Sequence, residues 1–177
     1  MKMLKKLLAV VLTGAMALTL LTACGGNAVT EKSIADAMND MAKVGGTNVT
    51  FTPQAQEREL ARKIAALLEG KATDEDSKDA IKKILDYDQG GANAGNFVWW
   101  GKAPVDKIGT SGQAFSFWYY TSAQGNAEND SNLTNKTPAD DRNMGTALCK
   151  MLDDDGNLVT WRVIVVTAKA EEDKDKD

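Results

Sequence analysis

The amino-acid sequence predicts an α+β fold, and three observations carry this prediction. Helical patterns of apolar residues come first along the chain. One strand-like stretch, FVWW at residues 97–100, follows in the middle. The chain then closes with two apolar runs on either side of a turn sequence, which is typical of a β-hairpin. This order favours segregated helices and strands over an alternating parallel α/β sheet.

The first half of the chain predicts three helices. The first ends at Gly45-Gly46 and is followed by a brief extended piece, NVTF. The second starts at Thr52-Pro53, where a hydroxyl and a proline suit a helix N-terminus, and ends at Gly70. The third begins after Thr73, which we expect to cap it. The apolar residues that recur at helical spacing are Ile34, Ala37, Met38, Met41, Leu60, Ile64, Leu67, Leu68, Ile81, Ile84 and Leu85.

The second half predicts a loop at 89–96, the FVWW strand, and a helix between Pro104 and Thr121. Gly109 and Gly112 weaken the first half of that helix. Residues 123–142 are rich in Asn and Asp and predict a long surface loop. The hairpin comprises residues 144–152 and 157–168 around the Asp153–Gly156 turn, which lacks the spacing and terminal glutamate of a calcium loop.

The N-terminus has the composition of a bacterial lipoprotein signal. Lys2, Lys5 and Lys6 precede an apolar run from Leu7 to Leu21, which is too short for a comfortable membrane span. The run ends in Leu-Thr-Ala-Cys at residues 21–24. Small residues before a cysteine suit a lipoprotein signal peptidase, so we expect Cys24 to become the lipid-modified N-terminus. An ordinary secretory signal with a chance cysteine is the alternative.

The charge of the mature chain argues against nucleic-acid binding. Removing the three lysines of residues 1–23 leaves 18 basic against 25 acidic residues, a net charge of −7. Such a surface repels phosphates and does not adhere to an anionic bilayer. Membrane attachment is therefore expected through the lipid on Cys24.

The residue types restrict the available chemistry. The chain has no histidine, which excludes Ser-His-Asp and Cys-His catalytic arrangements. With Cys24 lipidated, Cys149 has no disulfide partner within the chain, and its apolar surroundings predict a buried thiol. Trp99 and Trp100 should face opposite sides of their strand, so one enters the core while the other needs a helix layer or an exposed site.

Three separated blocks of sequence match the pattern of one known family. The first is 38–53, where Met38-Asn39, Gly45 and a step ending at Pro53 match the opening of that family's domains. The second is 95–99, with Gly95 where the family has glutamate. The third is 118–124, with Thr121 and Gln124 where the family has serine and histidine. Gly145 and the TWRVIVV run are similar to the family's closing strands, whereas residues 70–95 match poorly. On these blocks the chain resembles the CAP superfamily, the SCP-like domains of cysteine-rich secretory and pathogenesis-related proteins.

The resemblance implies a three-layer α-β-α sandwich with a small central antiparallel sheet. It also implies a cleft, with Gly95, Asn96, Trp100, Trp118 and Gln124 as the candidate cleft residues. Many relatives hold a divalent metal there through two histidines and two glutamates. Because Gly95 and Gln124 replace two of those ligands, and glutamine is a poor zinc ligand, we expect no metal and no cofactor.

The sequence thus divides into a signal (1–23), a tether (24–30), a CAP-like domain (31–169) and a disordered acidic tail (170–177). The expected protein is a lipid-anchored extracytoplasmic lipoprotein with a non-catalytic binding domain, whose partner would be a small apolar ligand, a glycan or a surface protein. The alternatives are a carboxylate-based hydrolase of cell-wall polymer or peptide, and a carbohydrate-binding protein that uses exposed tryptophans.

Overall fold

A computed structural model describes residues 30–72, 77–87, 90–121, 133–134 and 136–171. They form four helices and four strands, in an order that confirms the predicted α+β class. The elements are α1 (Glu31–Val44), β1 (Thr50–Pro53), α2 (Ala55–Leu68), α3 (Lys78–Leu85), β2 (Phe97–Pro104), α4 (Thr110–Thr121), β3 (Pro138–Leu152) and β4 (Leu158–Ala170).

The four strands form one sheet in the order β1-β3-β4-β2. The predicted hairpin is its centre, because β3 and β4 pair antiparallel from Leu152 and Leu158 at the turn to Pro138 and Ala170. Strand β2 pairs antiparallel with the other side of β4. Both outer strands are joined to the rest of the sheet through helices, which places helices on the two faces.

The helices cover the sheet in two layers, each with its own hydrophobic cluster. Helices α1 and α4 pack on one face, which we call the α1/α4 face; its strand residues include Phe97, Trp99, Met144, Ile164 and Val166. Helices α2 and α3 pack on the other, the α2/α3 face, whose strand residues include Val98, Cys149, Met151, Val163 and Val165. The alternation of strand side chains between the faces produces the predicted three-layer sandwich.

The hairpin turn is held by the side chain of Asp153. Its Oδ1 accepts hydrogen bonds from the N–H groups of Asp155 (3.1 Å) and Asn157 (2.9 Å). Gly156 has a φ of 78°, a conformation that favours glycine. The DDDG sequence is therefore a turn, as predicted.

The sheet is mixed rather than wholly antiparallel, which corrects one detail of the predicted architecture. Strand β1 runs parallel to β3, with Phe51 opposite Arg142 and Pro53 opposite Met144. Parallel neighbours need a long crossover, and here it contains α2, α3, β2 and α4. The extended NVTF piece therefore joins the sheet at its edge.

Two predicted boundaries are wrong. Thr52 and Pro53 end β1 instead of starting α2, which begins at Ala55 after Gln54; proline is tolerated there because β1 is an edge strand. Strand β3 begins at Pro138, inside the predicted loop, and its register with β4 shifts between Pro138 and Arg142. Thr73, predicted to cap α3, and residues 172–177 of the predicted tail lie outside the described residues.

Candidate functional site

Two of the predicted cleft residues, Trp100 and Trp118, lie on opposite faces of the sheet. Trp118 is 8% exposed and belongs to the α1/α4 cluster. Trp100 is half-buried against the α2/α3 cluster. It is Trp99 that shares the face of Trp118, and its ring packs edge-on against Phe117 at 6.2 Å. The pleat of β2 directs Trp100 away from the α1/α4 face, so the prediction that Trp100 and Trp118 line one cleft is wrong.

Gly95 and Asn96 lie in the turn that leads into β2. The amide of Asn96 donates to the carbonyl of Asn93 (3.1 Å), and Gly95 has a φ of 78° with its Cα exposed. Nearby, the buried side chain of Asn93 donates to the carbonyl of Leu85 (2.7 Å). A turn geometry therefore accounts for glycine at position 95. The remaining predicted site residues, Cys24 and Gln124, lie outside the described residues.

Residues of the first sequence block form a compact joint between α1 and β1. The side-chain amide of Asn39 donates to the carbonyl of Phe51 (3.1 Å), and its Oδ1 accepts from the Phe51 N–H (2.6 Å). Gly45 ends α1 beneath Trp118, where an added Cβ would lie 3.2 Å from the indole Cζ2. This joint fixes the position of α1 relative to both β1 and α4.

A polar network crosses the edge of the sheet where β1 ends. Glu31, in the first turn of α1, accepts hydrogen bonds from Nε (3.0 Å) and Nη2 (2.6 Å) of Arg58 on α2. Its second oxygen accepts from the backbone N–H of Thr146 on β3 (2.7 Å). The hydrogen bonds that Arg58 donates to Glu31, together with the charge of that carboxylate, raise the pKa of Arg58. Glu31 thus connects both helical layers to the central strand.

Arg162 extends this polar contact into the α1/α4 face. It is 3% exposed, and its Nε donates to Oε1 of Gln113 (2.9 Å) while Nη1 donates to the hydroxyl of Thr146 (3.2 Å). Burial lowers the pKa of Arg162, an effect that the nearby charge of Glu31 opposes. In the sequence, the buried position of Arg162 is indicated only by its place inside the apolar TWRVIVV run.

Arg142 was missed because it lies in the predicted loop. Its side chain is 3% exposed, Nε donates to the carbonyl of Ala139 (3.2 Å), and the guanidinium lies 5.7 Å from the centre of the Phe51 ring. Burial lowers its pKa to about 10. The guanidinium packs on an aromatic ring at the start of the hairpin, which anchors β3 to β1.

The buried acidic residue among those described is Glu57 on α2. It is 2% exposed, and its Oε1 accepts from the hydroxyl of Thr167 (2.6 Å), while no described group bonds its Oε2. Within the described part of the chain, no three His, Cys, Asp or Glu side chains are grouped to hold a metal ion.

Cys149 lies in the α2/α3 cluster and is 4% exposed, as the sequence predicted. Burial raises the pKa of its thiol to about 11, with the charge of Glu69 adding to the effect. The thiolate is the reactive form, so at pH 8 only about one thiol in a thousand is ionised in the folded protein.

We therefore expect Cys149 to resist thiol-specific reagents while the protein is folded. In a Cys24→Ser variant at pH 8, a disulfide reagent such as DTNB should release no thionitrobenzoate over minutes, and one equivalent per chain after unfolding in guanidinium chloride. Rapid reaction of the folded protein would contradict this burial. Because ionisation requires pH near 11, raising the pH from 7 to 9 should leave the folded protein unreactive on this timescale.

A cavity lies beside the outer edge of β3, where β1 has ended. It has a volume of about 390 Å³ and is lined by Arg62, Ala65 and Ala66 of α2, by Glu69 directly after that helix, and by Ala147 and Leu148 of β3. Leu148 is 48% exposed, which is unusual for a leucine in a central strand. The cavity is shallow, small and largely apolar, with one arginine and one glutamate at its rim.

Comparisons of the chain with protein-family models, with curated proteins and with solved structures give no match. Among the residues that the structure describes, no helix has the length and apolar character needed to cross a bilayer.

Proposed function

We propose that this chain is a lipid-anchored extracytoplasmic bacterial lipoprotein whose domain is a non-catalytic binding module of CAP-like architecture. The observation that carries the proposal is the Leu-Thr-Ala-Cys sequence at residues 21–24, behind a basic and apolar leader. Only six residues separate Cys24 from Glu31, where α1 begins. Such a tether would hold the domain close to the membrane surface.

The CAP-like part of the proposal is supported by how the three resembling blocks pack. Gly45 of the first block lies against Trp118 of the third. Trp99 of the second block packs edge-on against Phe117, one residue before the third block. Three stretches that are far apart in sequence thus meet on the α1/α4 face. The absence of histidine from the sequence and the high pKa of the buried Cys149 support a binding role over a catalytic one.

Acylation of Cys24 is the decisive test. When the full chain is expressed in a bacterium supplied with an alkyne-labelled fatty acid, we expect the label on the mature protein. A Cys24→Ala variant should carry no label and should keep residues 1–23, as measured by intact-mass spectrometry. Cys149→Ala is the matched control and should be labelled as the parent is. Labelling of the Cys24→Ala variant, or cleavage at another position, would refute lipid anchoring.

One surface favours carbohydrate binding as a second candidate function. On the α2/α3 face of β2 and β4, Trp100 and Trp161 are both half-buried, and Lys102 Nζ lies 5.7 Å from the centre of the Trp161 ring. Partly exposed indoles next to a cation suit stacking on an acidic sugar. On a glycan array, Trp100→Ala should lower such binding about fivefold, since one stacking contact is worth roughly 1 kcal/mol. Tyr120→Ala, which removes an exposed aromatic from α4, is the control, and equal binding by both variants would eliminate this candidate.

A further inference from the structure

The outer edge of β3 has a gap in its hydrogen bonding that is bounded by two carboxylates. Oε2 of Glu31 accepts from the N–H of Thr146 (2.7 Å), and Oε2 of Glu69 accepts from the N–H of Lys150 (3.0 Å). Beyond Lys150 the segment that follows α2 supplies the next hydrogen-bond acceptor. The carbonyl of Lys71 accepts from the N–H of Leu152 (2.7 Å). The even-numbered residues of β3 thus direct their backbone groups away from β4.

Leu148 lies in the middle of this gap. No described residue outside the β3–β4 ladder donates to its carbonyl or accepts from its N–H. Backbone polar groups at a sheet edge are a template for pairing with another chain. The distance from Thr146 to Lys150 corresponds to about 13 Å of strand, so the gap has room for three or four extended residues.

The cavity between α2 and β3 opens beside this gap. Its lining determines which side chain of an incoming segment would fit there. The methyl groups of Ala65, Ala66 and Ala147 provide room for a small apolar side chain. Arg62 stands at the rim, and its ion pair with Glu59 is 3.8 Å long, which exceeds a hydrogen bond. Its guanidinium can therefore bind an incoming carboxylate, whereas Glu31 and Glu69 are engaged with the N–H groups of β3.

We propose that this edge binds an extended segment of another protein by β-strand addition, with a small apolar side chain in the cavity and an acidic side chain on Arg62. The proposal deepens the binding role proposed above and rests on it. A main chain alternates donors and acceptors at strand spacing, so it can bond the Leu148 N–H and carbonyl together. A purely apolar small molecule would leave both groups without partners.

Charge argues against a second copy of the same chain as the occupant. If two β3 edges paired antiparallel about Leu148, Thr146 of each copy would oppose Lys150 of the other. The carboxylate of Glu31 from one copy and that of Glu69 from its partner would then compete for the same place, with like charges in contact. An acidic segment of a different protein avoids this repulsion and matches Arg62.

The test follows the Leu148 amide by NMR in the full-length ¹⁵N-labelled chain in detergent micelles. The probe is acetyl-Thr-Ala-Val-Ala-Glu-Thr-amide, compared with a peptide that has lysine in place of glutamate and with one N-methylated at alternate residues. Before addition, the Leu148 amide should exchange with solvent faster than those of Thr146 and Lys150. The acidic peptide should shift and protect it, the lysine peptide should bind about five- to tenfold more weakly because the rim charge opposes it, and the N-methylated peptide should not bind.

Two protein variants make the test specific. Arg62→Glu should reverse the preference and favour the lysine peptide, whereas Lys63→Glu, on the neighbouring exposed position of α2, should keep the parent's preference. Equal binding of the three peptides, absence of a shift at Leu148 at millimolar peptide, or protection of Leu148 by self-association without peptide would each overturn the proposal. None of these outcomes affects acylation of Cys24, so failure here is distinguishable from failure of the lipoprotein assignment.

Discussion

A Gly145→Ala substitution is expected to destabilise this protein by at least about 3 kcal/mol, as measured by urea unfolding followed by circular dichroism. For a domain of this size the melting temperature should fall by roughly 6–12 °C. The effect is large because the added methyl group has no space: it would overlap the backbone of Glu57 and Arg58, at the first turn of α2.

The close approach at Gly145 determines the position of α2 on the sheet. The amide of Gln54, just before α2, donates to the carbonyl of Met144 (2.8 Å), so the helix enters directly over Gly145. A Cβ at this position would push the helix outward. The displacement would lengthen the hydrogen bonds from Arg58 to Glu31, because both depend on where the first turn lies.

Gly109→Ala is the matched control. An added Cβ at Gly109 meets no atom within 4 Å, and its φ is not positive. We expect a change in the free energy of unfolding within about 1 kcal/mol, the range for a non-polar change at the start of a helix. If Gly145→Ala behaved like this control, α2 could not lie against β3 as described.

Much of the fold could be predicted because its strongest elements are signalled locally. Apolar residues at helical spacing indicated α1 and α2, and the Asp153–Gly156 turn between two apolar runs indicated the hairpin. The parallel pairing of β1 with β3 had no such signal, because it joins residues about 90 positions apart whose side chains carry no register information. Residues 138–142 looked like a loop because their composition is polar, although β4 continues far enough to pair with Pro138.

The candidate site was less predictable, since it depends on which strand face each residue occupies. The sequence showed that Trp99 and Trp100 point in opposite directions, but not which of them faces α4. The strand pairing determines the face. Trp99 pairs with Val166 of the α1/α4 cluster, whereas Trp100 pairs with Val165 of the α2/α3 cluster. The open edge at Leu148 could not be foreseen either, because it results from where β1 ends relative to a strand distant in sequence.

Gln113→Leu is the second substitution expected to have a large effect, costing about 3 kcal/mol in the free energy of unfolding. Gln113 is fully buried, accepts from Nε of Arg162 (2.9 Å), and donates to the carbonyl of Ile108 (3.0 Å). The substitution keeps the volume roughly constant but removes an acceptor from a buried guanidinium. Removing one partner of a buried charge is costly because the other loses its compensation.

A second substitution is expected to reduce the loss in the free energy of unfolding that Gln113→Leu causes. In the double variant Gln113→Leu with Arg162→Met, the buried cation is gone, so the loss should be at least about 1 kcal/mol smaller than the sum of the two single effects. The pKa of Arg162 is lowered by burial, so its charged form carries a desolvation penalty in the folded state at neutral pH. Arginine stays protonated at ordinary pH, so the penalty is present throughout this range and the coupling should be unchanged between pH 6 and pH 9. Strictly additive single effects would mean that Gln113 does not stabilise the charge of Arg162, and the network between α4 and the sheet would then be a matter of packing alone.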